Sequence, residues 1–117
     1  MKKFYKLKYF CQGSFVPESG FLPYNEICFN EKSWTRFWQP EQEVPYAVKN
    51  NQWVGYDDLD SLEIKLHYIL ANDLGGAMFW SVETDDFSNL CGKGKYPMIK
   101  MGHGYMSGKV RKIRRNC

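Results

Sequence analysis

The chain has 117 residues, with 16 Lys+Arg against 13 Asp+Glu and a formal net charge of +3. That length fits one small domain and excludes a large barrel closed within the chain, which takes roughly 200 residues or more. Aromatic residues make up 17% and apolar residues 44%, too many for a disordered chain, and no apolar run approaches the ~20 residues of a membrane helix, so no membrane partner is expected.

The charge is unevenly placed. Residues 9–92 hold all 13 acids but only Lys32, Arg36, Lys49 and Lys65, a formal charge of −9. The other 12 basic residues lie in 1–8 and 93–117. An acidic body with basic ends is not the profile of a uniformly basic nucleic-acid binder, and a nucleic-acid partner is not expected.

In chain order, residues 1–12 form a basic, aromatic N-terminal arm without clear period. Met1-Lys2-Lys3 resembles the start of a signal peptide, but Lys6 and Lys8 interrupt the stretch from Phe4 to Phe10, so no clear export signal is visible. Gly13, Ser14, Pro17, Ser19, Gly20 and Pro23 are turn formers. A short helical turn is expected over Tyr24–Asn30. Residues 31–43 are polar, interleaved with Trp34, Phe37 and Trp38. Val44–Val48 and Gln52–Tyr56 read as the two strands of a hairpin, with Asn50-Asn51 at the turn, because Asn tolerates the left-handed backbone such turns need.

Asp60-Ser61-Leu62-Glu63 reads as a capping box, with Asp60 as cap and Glu63 reaching back. Leu62, Leu66, Ile69 and Leu70 then recur at helical spacing, and Gly75-Gly76 is expected to stop the helix. The apolar run Ala77–Val82 reads as a buried strand. Gly92, Gly94 and Pro97 mark loop, and 102–117 reads as a flexible basic C-terminal tail. The elements together predict an α+β fold, with the parallel partner of the buried strand missing.

Few residues suggest chemistry unaided. The cysteines, Cys11, Cys28, Cys91 and Cys117, include no CxxC pair, and His67 and His103 are not spaced to complete a zinc site. Four cysteines allow three pairings in an oxidising compartment. Gly102-His103-Gly104 with Gly108-Lys109 is not a phosphate loop: His103 stands where that loop needs Gly, and Val110 where it needs Ser or Thr. Asp57, Asp58, Asp85 and Asp86 raise a metal or acid–base reading, but the first two lead into a helix, where negative charge is favoured. No metal ligands and no cofactor are assigned.

Several ordered motifs resemble chitinases of glycoside hydrolase family 18. Gly20-Phe21-Leu22-Pro23-Tyr24-Asn25-Glu26-Ile27-Cys28 is similar to that family's G-x-L-x-Y-x-E-I-C segment. Val44-Pro45-Tyr46-Ala47 and Gln52–Asp58 are similar to its V-P-Y-A and W-V-G-Y-D-D. Gly75–Trp80, Asp85-Asp86-Phe87, Cys91-Gly92 and Lys95–Ile99 are similar to its G-G-A-M-x-W, D-D-F, C-G and closing segments. The match covers about residues 13–101. The hairpin turn departs from it, with Asn50 at a position where the family often has Gly.

The resemblance implies a fragment of a (β/α)8 TIM barrel. Residues 13–56 would be part of the family's small α+β insertion domain, and 57–101 the last helix and eighth strand of the barrel. Hydrolysis in the family needs a carboxylic acid to protonate the glycosidic oxygen, while the substrate's own acetamido group serves as nucleophile. That acid lies in a D-x-x-D-x-D-x-E motif. No Asp here begins one: from Asp57 the pattern fails at Leu62 and Ile64, and from Asp85 at Ser88. No catalytic residue is therefore assigned.

Spacing alone makes Trp80 a core residue of a buried strand, whereas the resemblance makes it the indole floor under an N-acetylglucosamine ring. Glu18 is either a solvated loop acid or, by resemblance, a contact to the sugar edge. Met78 is expected to pack, and Trp34, Phe37, Trp38 and Trp53 to pack the insertion domain rather than form a sugar platform. Cys28 and Cys91 match the family's disulfide; the alternative is two reduced thiols. The expectation is a truncated chitinase-like protein that binds chitin or chitooligosaccharide without hydrolysis, extracellular by resemblance. Two alternatives are a fragment of an active endochitinase whose catalytic part lies elsewhere, and an interaction module using the basic ends.

Overall fold

A computed structural model describes residues 20–108. Glu18, Cys11, Cys117 and the basic arms at 1–12 and 109–117 lie outside the described residues. The chain opens with helix α1, Tyr24–Phe29, at the position expected of the helical turn. Pro23 stands before it with its fixed φ, and its carbonyl accepts from the N–H groups of Glu26 and Ile27 at 3.1 and 3.2 Å.

Three antiparallel strands come next, in the order β1 (Thr35–Gln39), β2 (Val44–Lys49) and β3 (Gln52–Gly55). Asn50 sits at φ +53° in the β2–β3 turn, with Lys49 opposite Gln52, so the hairpin forms on the residue type that tolerates that conformation. β1 was not expected. Its residues are mostly exposed, so they carry no apolar alternation; Gln39 secures the turn after it by accepting from Glu41 N–H through its side chain at 2.7 Å. One face of the sheet turns Ala47 and Val54 onto Ile27 of α1 in a small core, joined by Leu22, Trp34 and Tyr56.

Helix α2 runs Leu59–Ala71. It starts earlier than the capping box read from the sequence. Asp58, not Asp60, is the cap: its carboxylate accepts from Ser61 N–H at 3.1 Å, while the Ser61 hydroxyl accepts from Asp58 N–H at 3.0 Å. Asp60 is left in the exposed first turn, where Arg36 bridges it and Asp58 at 3.1 and 2.6 Å. The helix also ends before Gly75-Gly76, because the Asn72 side chain donates to the Tyr68 carbonyl at 2.9 Å and closes the last turn.

Two expectations fail after α2. Ala77–Val82 forms no strand. A strand needs a neighbour for its N–H and C=O groups, and among the described residues none lies beside it. Met78, Trp80 and Val82 are exposed rather than buried. The second failure lies at 102–106, which is not tail: helix α3 spans Pro97–Met106. Pro97 occupies its first turn, and the Asp85 carboxylate accepts from the N–H groups of Met98 and Ile99 at 3.4 and 3.0 Å. Met98 and Tyr105 pack on Leu62 and Leu66 of α2, forming a second core in which Leu66 is 0% exposed. The two glycines within α3, Gly102 and Gly104, masked this face in the sequence. Gly102 has a packing reason, since a Cβ there would lie 2.6 Å from the Phe79 ring.

Cys28 of α1 and Cys91, in the loop before α3, are joined in a disulfide with a Cα–Cα separation of 5.6 Å. This is the pair implied by the resemblance. No helix among the described residues is long and apolar enough to cross a membrane.

Candidate functional site

Between α2, the 74–81 segment and the start of α3 lies an open cavity of about 690 Å³. Its walls are mainly apolar, with Leu66, Ile69, Phe79 and Met98 on the helical side and Phe21 and Leu22 from the segment before α1. Trp80 and Met78 also line it, 84% and 81% exposed. The core role that spacing gave Trp80 is therefore overturned, and so is the packing role expected of Met78. Each lost it with the strand that was expected to bury it.

Polar groups stand in the same walls. Lys65 donates to both carboxylate oxygens of Asp57, at 2.6 and 2.7 Å. Ser81 opens a short helical turn, Val82–Thr84, whose Thr84 hydroxyl donates to the Ser81 carbonyl at 2.6 Å. The Ser81 side chain also holds the exposed Glu83 carboxyl below its ordinary range. Tyr24 lines the inner wall. Burial, reinforced by Asp58, Asp85 and Asp86, pushes its phenol up to about 12. The result is a concave apolar surface with a few fixed polar groups and one large exposed indole, the composition of a small-molecule site.

The acidic residues singled out in the sequence divide into structural tasks. Asp57 pairs with Lys65, and Asp58 caps α2. Asp85 caps α3, while the fully buried Asp86 accepts from the N–H groups of Leu90 and Cys91 at 2.8 and 2.9 Å.

The aromatic residues also separate. Trp34 joins the sheet core, and Trp38 lies under the Arg36 guanidinium, 5.4 Å from its ring centre. Phe37 and Trp53 face outward with Tyr46 between them, at ring separations of 5.2 and 6.3 Å. That row departs from simple packing of the sheet interior. Sequence reasoning missed a polar group joining the helices, in which the Tyr105 hydroxyl bonds Glu63 and lies 3.2 Å from His67 Nε2. The signal was available in Met98, Met101 and Tyr105, spaced three and four residues apart behind a proline.

The profile of the family described as Glycosyl hydrolases family 18 matches residues 3–85. The chain belongs to glycosyl hydrolase family 18. Among family 18 relatives, human chitinase-3-like protein 2 is 47% identical over 89 residues, covering 75% of this chain and 23% of its own length. The Manduca sexta endochitinase is 44% identical over 93 residues, covering 76% of this chain and 17% of its own. Among solved structures, human YKL-39, a pseudo-chitinase with retained chitooligosaccharide binding, superposes with a TM-score of 0.73 at 44% identity, over 78% of this chain and 25% of that one. A group IV chitinase of Ostrinia furnacalis in complex with allosamidin gives 0.79 at 36% identity, over 85% and 27%. This family 18 chain thus spans about a quarter or less of the length of these relatives.

Proposed function

We propose that this chain supplies part of a chitooligosaccharide-binding surface and does not hydrolyse the sugar by itself. The observation that carries this is Trp80, whose indole stands almost fully exposed at a mainly apolar cavity. A large flat apolar group in water is costly unless something covers it. The apolar face of an N-acetylglucosamine ring suits an indole, with polar groups such as the Asp57–Lys65 pair and Ser81 available for the hydroxyl and acetamido edges. A relative that retains chitooligosaccharide binding as a pseudo-chitinase supports the same chemistry here. The absence of D-x-x-D-x-D-x-E from the 117 residues supports binding without hydrolysis.

On this reading residues 13–56 belong to the insertion domain and 57–101 to the end of the barrel. The separate cores around Ile27 and Leu66 support the division. We propose Glu18 as a contact to the sugar edge, and an extracellular site, on family likeness alone. Calorimetric titration of the chain with chitotetraose tests the proposal. Saturable heat that disappears in Trp80→Ala is expected; equal binding by that variant contradicts it. The endochitinase relative favours a second reading, in which the catalytic acid is supplied by sequence outside this chain. Chitin hydrolysis by this chain only after addition of a family 18 segment bearing the acidic motif would establish that reading.

A further inference from the structure

The disulfide lies in a setting suited to a second chemistry. Cys28 Sγ, Cys91 Sγ and a carboxylate oxygen of Asp86 lie within 4.8 Å of one another. The Asn25 backbone carbonyl oxygen is 3.5 Å from Cys28 Sγ and 3.9 Å from Cys91 Sγ. Asp86 is 0% exposed, and its two oxygens are steered by the N–H groups of Leu90 and Cys91. Each carboxylate oxygen accepts at two lone pairs, so these bonds orient the group and leave a position on each oxygen for a cation.

We propose that reduction of the Cys28–Cys91 bond turns this locus into a zinc site, with the two thiolates and Asp86 as protein ligands and water in the fourth position beside the Asn25 carbonyl. Tetrahedral zinc, with Zn–S near 2.3 Å, sets two sulfurs about 3.8 Å apart. The ligand group therefore needs little more than opening of the S–S bond. Two thiolates and one carboxylate favour a borderline-soft ion over magnesium or calcium.

The step balances with a thiol reductant. Its thiolate attacks one cysteine sulfur, the S–S bond breaks, and the other sulfur leaves as thiolate. A second reductant thiol resolves the mixed disulfide. Two electrons and two protons pass to the cysteines, and the reductant departs as its own disulfide. Zinc then displaces both thiol protons. A cavity of about 270 Å³ lined by both cysteines gives access, and Glu31, Asp58 and Asp60 in its walls outnumber Arg36 and Lys93. The consequence is structural: α1 and the loop before α3 stay tied in either redox state, by a covalent bond or by a metal.

The full chain with Cys11→Ser and Cys117→Ser, reduced by a phosphine, is titrated with cobalt(II) as a spectroscopic stand-in. A sulfur-to-cobalt charge-transfer band saturating at one equivalent and abolished by zinc is expected. The oxidised chain gives no band, and Asp86→Asn weakens binding at least tenfold. Either a reduced chain without the band or an Asp86→Asn chain with unchanged affinity overturns the proposal. The second result also exposes metal held only by a loosened, unfolded dithiol. Cys91→Ser must lose the band, and retention of it counts equally against the site.

Discussion

Around Ile27, Ala47 and Val54 the chain closes a core from segments that are neighbours in sequence, with a hairpin folding back on itself and α1 lying over one face. Around Leu62, Leu66, Met98 and Tyr105 it closes only one side. α3 covers α2 there, while the cavity beside them stays open and Ala77–Val82 forms no strand. The contrast shows what each type of element requires. A hairpin strand brings its own partner, and a helix satisfies its backbone internally. The apolar segment Ala77–Val82 has neither recourse among the described residues: Ala77 and Phe79 lean on the helical core, while Met78, Trp80 and Val82 face water.

The Cys28–Cys91 bond ties the two cores across a sequence separation of 63. Replacing both cysteines by Ser should cost about 4 kcal/mol by the chain-entropy relation, read from denaturant unfolding. A loss below about 1 kcal/mol would mean that the cores hold together without it. Leu66→Ala, at a fully buried position, should cost about 3 kcal/mol. Hydrogen exchange should then quicken in α2 and α3 and leave the β2–β3 amides unchanged; equal loss in both regions would make them one cooperative unit. Asp85→Ala removes the carboxylate that holds the start of α3 and should cost about 2 kcal/mol, with fraying confined to that helix.

Alkaline titration reads the junction of the two regions, where Tyr24 touches the helical core and lines both cavities. Its folded-state pKa is raised from 10.0 to about 12. The stabilisation is fully present below pH 10, where the phenol is neutral in both states. It declines as pH rises from 10 toward 12, because only the unfolded chain releases the proton. Tyr24→Phe should flatten that decline. The smallest stability effect belongs to Trp80→Ala, expected within about 0.5 kcal/mol because the side chain is exposed. A larger loss would mean that the indole packs in solution and is not held free for a ligand.

Legibility in the sequence divides along the same line. The Asn50 turn and the periodic leucines of α2 depend on local chemistry, and both were readable. The cap was misplaced because Asp58 and Asp60 are equally good capping types, and only the Ser61 hydrogen bonds distinguish them. α3 was hidden by glycines that lower helix propensity, although Gly102 is there to admit the Phe79 ring. The Ala77–Val82 run has the hydrophobicity of a buried strand, yet hydrophobicity alone does not supply the neighbouring strand that pairing needs, and none lies beside it among the described residues. For the site, family likeness pointed to Trp80 and the disulfide where spacing did not. The wall of Tyr24, Asp57 and Lys65 emerged only once α1 and α2 were packed together.

The proposed sugar contact is Trp80, and not the outward aromatic row of Phe37, Tyr46 and Trp53. The most direct measurement is a nuclear magnetic resonance titration of the four indole N–H signals with chitotetraose, each assigned by Trp→Phe substitution. A saturable shift of the Trp80 signal, with those of Trp34, Trp38 and Trp53 unmoved, is expected. A shift at Trp53 with Trp80 silent would contradict it and place recognition on the outer face of the sheet.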